Sequence, residues 1–247
     1  MKTFKTLFKI EFKLSLRDMN MLIFAVAMPI VIAIIIGIIY GTNMAYNGAT
    51  FTFYQQSFGA IASIAIAASG LMGLPLVLSD YRRKKILKRY KVTPVSPVIL
   101  LLVQFSIYAC YCFLGLLAIY IISILFFQFS FLGSPFLFLL TFILVLLSIF
   151  SIGLFIAAVA KNEKNANLMT TLLYFPMLVF SGATLPYEIM PKLMQQISNV
   201  MPLTQGIKLL KTAILGENIF SQPIALFVVI LVPIILIPIS IKKFRWE

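Results

Sequence analysis

Residues 79–97 read S-D-Y-R-R-K-K-I-L-K-R-Y-K-V-T-P-V-S-P and hold seven of the chain's twenty lysine and arginine residues. Long apolar segments flank this basic segment on both sides. Because so many charges are too costly to place in lipid, the basic segment must lie outside the bilayer. Cytoplasmic loops of membrane proteins carry the excess of lysine and arginine, which places it on the cytoplasmic side. We expect a soluble partner to bind there.

The apolar segments define the class of protein. Hydrophobic residues make up 62% of the 247 residues and charged residues 11%, whereas soluble domains are about half apolar and a quarter charged. Many apolar runs are near 20 residues, the length of a membrane-spanning helix, and no short segments of alternating polarity suggest a membrane barrel. The sequence therefore predicts an all-α, multi-pass protein of the cell membrane, with a single transmembrane domain over residues 1–247.

Six apolar segments are predicted to span the membrane: residues 21–40, 57–78, 98–127, 136–160, 168–180 and 223–241. The second of these spans carries small side chains on nearly all of its faces, which predicts a closely packed central helix. Six spans place both termini on one side, and 17 of the 20 basic residues then face the cytoplasm. The net charge of +13 therefore reflects membrane topology rather than nucleic-acid binding, because the basic residues lie next to apolar spans.

The N-terminal residues 2–18 form a predicted interfacial helix. Basic residues recur at every fourth position and so share one helix face, opposite a broad apolar side; they are Lys5, Lys9, Lys13 and Arg17. Glu11 projects among the apolar residues rather than the basic ones. Two interpretations stay open, in which Glu11 either meets a donor from the protein or reaches the headgroup region.

Within the basic segment, Ile86, Leu87 and Tyr90 occupy positions i, i+1 and i+4. This spacing predicts a short amphipathic helix over residues 80–91, which the Thr93-Pro94 pair then ends.

Residues 183–221 are too polar to span the membrane but contain amphipathic runs and several prolines. They are predicted to form a pair of short re-entrant helices on the outer face. We assign five residues to this outer segment: Gly182, Pro186, Glu188, Pro191 and Pro202.

The chemistry that the sequence lacks is also informative. The predicted spans carry no ionisable residue at mid-depth, which disfavours a carrier driven by protons or sodium. The chain has no histidine, no phosphate-binding loop and no carboxylate cluster. We therefore expect no catalytic residue, no metal site and no cofactor in this chain. If the protein performs work, another polypeptide must supply the energy through the basic segment.

Four stretches together resemble one family. They cover residues 11–29, 82–97, 180–191 and 197–211, and read E-F-K-L-S-L-R-D-M-N-M-L-I-F-A-V-A-M-P, R-R-K-K-I-L-K-R-Y-K-V-T-P-V-S-P, F-S-G-A-T-L-P-Y-E-I-M-P and I-S-N-V-M-P-L-T-Q-G-I-K-L-L-K. In this order and spacing they are similar to the connecting helix, coupling helix and outer re-entrant helices of type-2 ABC exporter permeases. The chain departs from the family at Tyr81 and Arg83, where relatives often have two acidic residues, and at Lys85 and Ile86, where they have Gly-Thr.

The resemblance implies two paired permeases, as a homodimer or a heterodimer, with separate ATP-binding subunits that hold ATP and magnesium. Residues 80–91 would act as a rigid lever on which the ATP-binding subunit pushes, with Ile86, Leu87 and Tyr90 as an apolar anchor. The residues that the resemblance assigns to this coupling are Asp80, Arg82, Arg83, Ile86, Leu87, Arg89, Tyr90, Thr93 and Pro94.

Other functions remain open from the sequence. The charge-poor, aromatic-rich spans favour an amphipathic peptide or a hydrophobic drug as the cargo, ahead of a lipid or polysaccharide. Alternatively, the protein is a non-transport membrane scaffold or an immunity protein whose basic surface binds anionic lipid.

Overall fold

The fold is described from a computed structural model, which covers residues 2–17, 19–41, 43–91, 96–184, 187 and 190–244. Within these ranges the chain is helical and contains no β-strand apart from an isolated bridge between Met44 and Thr52. The all-α prediction is therefore confirmed.

Twelve α-helices are described, in chain order: α1 (Lys2–Ser15), α2 (Met19–Leu22), α3 (Met28–Tyr40), α4 (Phe53–Ala67), α5 (Leu74–Arg83), α6 (Ile86–Lys91), α7 (Pro97–Phe127), α8 (Pro135–Val159), α9 (Glu163–Phe180), α10 (Lys192–Val200), α11 (Pro202–Leu215) and α12 (Pro223–Lys243). Wider π-helical turns, Ile23–Ala27 and Ala68–Gly73, join α2 to α3 and α4 to α5 without a break. A short 3₁₀ turn, Ile219–Ser221, precedes α12.

The starts of the long helices follow from their sequences. Thr52 and Gln55 form a capping box at α4. The Thr52 hydroxyl accepts a hydrogen bond from the backbone N–H of Gln55, and the Gln55 side-chain oxygen accepts one from the backbone N–H of Thr52. Ser96 and Ser134 cap α7 and α8, and a proline follows each as the first helical residue. The Asn162 side chain accepts from the Asn165 amide, 2.8 Å away, at the start of α9.

Five described helices are long and apolar enough to cross a membrane: Ile23–Tyr40, Phe53–Arg83, Val98–Phe127, Pro135–Val159 and Pro223–Lys243. They coincide with the first four predicted spans and with the sixth. The predicted span 168–180 lies within α9, which begins with the polar run E-K-N-A-N and is not one of the five. The count of six spans and the shared side of the termini stay predictions.

The second span is the centre of the bundle. Of its most apolar 18 residues 83% are buried, compared with 22% to 28% for the first, third and last spans. Small residues allow this close packing, since a Cβ atom on Gly153 of α8 would overlap the carbonyl oxygen of Gly70. The two backbones are therefore in direct contact, as expected for a packed central helix.

Helix α11 is buried inside the bundle, where it packs against α4, α8 and α12. Its Gly206 lies against Val145, near the middle of α8. At its other end the Ile214 carbonyl accepts from the Leu132 and Gly133 amides, at 3.2 and 2.8 Å, in the loop between α7 and α8. With 14 residues α11 is about 21 Å long, too short to cross a bilayer. Its depth in the membrane stays a prediction.

The basic segment departs from the single helix predicted over residues 80–91. Helix α5 continues the second span to Arg83, a turn follows at Lys84 and Lys85, and α6 starts at Ile86. Lys85 adopts the left-handed conformation, with φ of 56°. This turn ends α5 and starts α6, which packs beside α5 and carries the fully buried Leu87.

Candidate functional site

Glu11 is the one charged side chain that is buried among the described residues, with 3% of its surface exposed. Its Oε2 accepts hydrogen bonds from the Tyr81 hydroxyl and from Gln104 Nε2, the latter at 2.9 Å. Its Oε1 accepts from the Tyr90 hydroxyl at 2.8 Å. A buried carboxylate is tolerated when hydrogen bonds replace its water, and three donors do so here. Of the two interpretations of Glu11, the one with protein donors is confirmed.

These four side chains come from four helices, and we call them the Glu11 junction. Glu11 belongs to α1, Tyr81 to the end of the second span, Tyr90 to α6 and Gln104 to α7. Glu11 stands one helical turn after Leu7, which is also buried, so that one face of α1 is packed against α7. The junction therefore ties the N-terminal helix and the third span to the basic segment.

Burial and the hydrogen bond to Glu11 raise the pKa of Tyr90 above its ordinary value. Its hydroxyl thus keeps its proton and remains a donor throughout the physiological pH range.

Leu87 and Tyr90 both face the chain's own interior. Leu87 is fully buried, and the Tyr90 hydroxyl is engaged by Glu11. The sequence assigns both residues to an apolar anchor for a partner subunit, whereas the structure uses them to hold α6 against the bundle. Ile86 is only partly buried. The expected contributions of the Arg89 side chain, Thr93 and Pro94 lie outside the described residues.

Arg82 closes the end of α8. Its Nη1 donates to the Ala160 carbonyl at 2.6 Å and its Nη2 to the Ala157 carbonyl at 3.0 Å. The last carbonyls of a helix have no partner within it and carry the negative end of its dipole, so that a guanidinium both satisfies and neutralises them. Arg82 also lies 5.9 Å from the ring centroid of Phe244, beyond α12. This residue therefore fixes the second span against α8.

Exposed ion pairs surround the turn. Asp80 pairs with Arg83 at 2.6 Å and with Lys84 at 2.7 Å, and Arg83 also pairs with Glu163, at the start of α9, at 2.7 Å. The Arg83 side chain is 58% exposed, so that solvent screens its ion pairs and they contribute little to stability. The outward surface consists of Lys84, Lys85 and Lys88, which are all exposed and basic. This surface is accessible to a partner.

The N-terminal helix presents its basic stripe to the outside. Lys5, Lys9, Lys13 and Arg17 are all exposed, as the fourfold spacing predicts. On the opposite side an aromatic row stacks with centroid distances of 5.6 to 6.4 Å; it consists of Phe4, Phe8, Phe12 and, from α7, Tyr111. The Tyr111 hydroxyl also lies 2.8 Å from Ser15 Oγ, within hydrogen-bond distance. Phe12 and Ser15 thus fasten the second half of α1 to Tyr111 of the third span.

Comparison with known proteins identifies the family. Residues 2–215 match the family described as ABC-2 type transporter. The chain belongs to this family. It is accordingly a transmembrane transport subunit, a membrane component of an ABC transporter, and a multi-pass permease.

Curated relatives match this permease over shorter stretches. It is 35% identical over 77 residues to the inner membrane transport permease YhhJ of Escherichia coli, which covers 31% of this chain and 21% of that protein. It is 35% identical over 69 residues to nodulation protein J of Rhizobium leguminosarum bv. viciae, 28% of this chain and 27% of that protein. Nodulation protein J of Neorhizobium galegae is 32% identical over 69 residues, 28% of this chain and 26% of that protein. The matches therefore span about a fifth to a quarter of each relative. No solved structure matches the chain.

The predicted outer segment of the permease is partly described. Gly182 has a φ of 92°, a conformation that favours glycine, where the chain leaves α9. Pro191 and Pro202 precede and open α10 and α11 respectively, whereas Pro186 and Glu188 lie outside the described residues. A cavity of about 340 Å³ lies between this segment, the first span and α4, and its lining includes Ser57, Thr204, Lys208, Lys211 and Glu217.

Two members of the Glu11 junction are absent from the sequence-based assignment. Gln104 is the one carboxamide side chain within the apolar run of α7, and a group this polar in such a run is a usable signal. Tyr81 is noted in the sequence as a departure from the acidic residue of relatives. Because its hydroxyl donates to Glu11, an acid at this position would instead repel that carboxylate.

Proposed function

We propose that this permease is the membrane subunit of an ATP-driven exporter. It pairs with a second permease, identical or related, and couples to a separate ATP-binding subunit that holds the ATP and magnesium. Both termini and the basic segment lie on the cytoplasmic side. Membership of the ABC-2 transporter family and the exposed basic turn at the end of the second span support this proposal.

The ATP-binding subunit docks on the surface formed by Lys84, Lys85 and Lys88. These lysines are exposed and follow the end of the 31-residue second span, which links them directly to the packed centre of the bundle. Their charge favours an acidic groove on the partner, which would guide association and set its orientation.

The Glu11 junction carries the proposal of coupling. Since one buried carboxylate bonds to α5, α6 and α7 at once, α6 cannot move alone without leaving Glu11 or one of its donors unpaired. A push on α6 is therefore transmitted to α1 and to the third span together. The fully buried Leu87 adds a mechanical contact, so that α6 moves with the bundle as a lever rather than as a loose loop.

The proposed cargo is amphipathic or hydrophobic, with a peptide or drug ahead of a lipid or polysaccharide. The exposed surfaces of the spans are apolar and rich in aromatic and branched side chains. A cargo of this kind would enter from the membrane rather than from water.

Docking is tested by extracting a tagged permease gently with its candidate ATP-binding subunit and measuring the ATPase retained. The charge reversals Lys85→Glu and Lys88→Glu together are expected to weaken retention at least tenfold. The matched double variant Lys164→Glu and Lys192→Glu reverses two exposed lysines elsewhere and is expected to stay within about twofold. If no ATP-binding protein associates with the unaltered permease, the proposed function is wrong.

Coupling is tested separately in a reconstituted complex. Glu11→Ala is expected to leave the ATPase bound but to abolish the stimulation of ATP hydrolysis by cargo. Normal stimulation in this variant would show that the Glu11 junction does not transmit movement.

A further inference from the structure

A second basic site lies away from the docking surface, at the ends of α8 and α12. It is a cavity of about 820 Å³, within the size range of ligand pockets. One wall is Arg82, a second is the end of α8 from Ala158 to Lys161, and a third is the last turns of α12 from Ile239 to Lys243. We call it the α8–α12 pocket.

The charge of this pocket is of one sign. Lys161, Lys242 and Lys243 stand on its rim and are exposed, and no described acidic side chain pairs with any of the three. Among the described residues that line the cavity, none carries a carboxylate. Arg82 contributes a fourth positive charge to the wall while its guanidinium bonds to the α8 carbonyls. Four cations around one concave surface create a strongly positive potential, which attracts an anion.

The remainder of the lining is apolar. Val159 and Ile239 line the cavity, and Ile235, one turn before Ile239 on α12, is 46% exposed. Helices α8 and α12 are both apolar enough to cross a bilayer and end at this point. The pocket therefore lies at the membrane boundary, with its cations facing the headgroup layer and its apolar wall facing the acyl chains.

Membrane topology alone explains part of this arrangement. The excess of lysines on one side of a membrane protein accounts for basic residues near the ends of spans. It does not account for basic residues from the second span, α8 and α12 converging on one cavity that has an apolar wall. That combination matches a ligand with an anionic head and a hydrocarbon tail.

We propose that the α8–α12 pocket binds the headgroup of an anionic phospholipid. The phosphate lies among Lys161, Lys242 and Lys243, and an acyl chain lies along Val159 and Ile239. Basic pockets between membrane helices on the cytoplasmic side bind such headgroups in general. Because Arg82 joins the wall of the pocket to the end of the second span, the bound lipid also braces the base of the helix that carries the basic turn.

The experiment measures lipid binding to the purified permease in detergent by native mass spectrometry. No ATP-binding subunit is present. The probes are dioleoyl-phosphatidylglycerol, dioleoyl-phosphatidylcholine and inorganic phosphate. We expect one phosphatidylglycerol per chain to bind at least tenfold more tightly than phosphatidylcholine. The triple variant Lys161→Gln, Lys242→Gln and Lys243→Gln is expected to remove this preference, since each lysine at a membrane surface contributes about fivefold.

The matched control removes three charges from the open stripe of α1, as Lys5→Gln, Lys9→Gln and Lys13→Gln, and is expected to change the affinity by less than about twofold. Equal losses in both triple variants would overturn the proposal, because the attraction would then be general. Displacement of the lipid by inorganic phosphate at equal concentration would also overturn it, because the pocket would then bind a soluble anion. Since no ATPase is present, failure here leaves the proposed exporter function untouched.

Discussion

Replacing Glu11 with alanine tests whether one carboxylate holds four helices together. The substitution leaves Gln104 Nε2 without its acceptor at a position that is 2% exposed, which costs about 1–3 kcal/mol. Tyr81 and Tyr90 are only partly buried and can turn toward water, so that each lost bond costs about 0.5–1.5 kcal/mol. Removing a buried charge offsets part of the sum. We expect the free energy of unfolding to fall by about 2–4 kcal/mol.

Glu11→Gln separates the charge from the shape. The amide keeps the volume of the side chain and one acceptor oxygen, which can serve Tyr81 and Gln104, while its NH₂ group can donate to the Tyr90 hydroxyl. The network stays satisfied and a buried charge is removed. Glu11→Gln is therefore expected to stay within about 1 kcal/mol of the unaltered protein. Glu217→Ala removes an exposed carboxylate and is expected to change stability by less than about 0.5 kcal/mol.

The chain carries its own reporter for the measurement. Cys112 is fully buried in the third span, so that its thiol becomes reactive when the bundle opens. Cys110 is partly exposed and is replaced by serine in all variants to remove its background reaction. Heating in the presence of a thiol-reactive dye then gives a melting temperature. For a chain of this length the expected loss in Glu11→Ala corresponds to about 4–16 °C.

Two results would refute the reasoning. Equal melting temperatures for Glu11→Ala and Glu217→Ala would show that the junction contributes no stability. An equally large loss in Glu11→Gln would show that the charge itself, rather than the satisfaction of three donors, stabilises the site.

Further predictions concern the same assay. Leu87→Ala is expected to lower the free energy of unfolding by about 2–5 kcal/mol, because Leu87 is fully buried. Lys88→Ala, on the exposed side of α6, is expected to change it by less than about 0.5 kcal/mol. Similar losses in the two variants would show that α6 does not pack as described. Tyr90→Phe is expected to cost about 1.5–3 kcal/mol at pH 8, because it removes a hydrogen bond to the buried Glu11 carboxylate. The raised pKa of Tyr90 in the folded chain means that its contribution is complete below about pH 10 and declines above it. The difference in stability between Tyr90→Phe and the unaltered protein is therefore expected to narrow as the pH rises above about 10, and a constant difference there would contradict Tyr90 as the donor. Gly153→Ala is expected to lower the free energy of unfolding by about 1–3 kcal/mol, because the added methyl group overlaps the Gly70 carbonyl. An unchanged melting temperature would contradict the backbone contact.

Composition and length are enough to predict most of the helices. Apolar runs near 20 residues identify the same five helices that satisfy the length and hydropathy of a span, because both depend on residue type alone. The helix ends are harder to predict. Helix α5 runs on through Asp80 to Arg83, where its ion pairs support a helical turn that hydropathy does not register.

The turn at Lys84 and Lys85 is missed for a different reason. The spacing of Ile86, Leu87 and Tyr90 fits a helix with one apolar face, and this local pattern is correct for α6. It does not reveal that α5 ends at Arg83 and that a turn separates it from α6. Lys85 adopts the left-handed conformation although it is not a glycine, so that the residue type does not indicate the turn.

For the Glu11 junction, the local sequence predicts that Glu11 needs a partner but not which residues provide it. An acidic residue on an apolar helix face signals that a partner is needed. The three donors are 70, 79 and 93 residues away, and nothing in periodicity or spacing selects Tyr81, Tyr90 and Gln104 over other polar residues. Long-range packing decides which of them come together.

The contact between Gly70 and Gly153 has a consequence for following the motion of this permease. Helices separated by side chains can slide as rotamers change, whereas two touching backbones have no such freedom. We therefore expect the crossing to act as a pivot about which the second span and α8 rotate without separating. Spectroscopic labels placed one turn from it on each helix would report a constant reference distance, against which the displacement of α1 and α6 during a transport cycle can be measured.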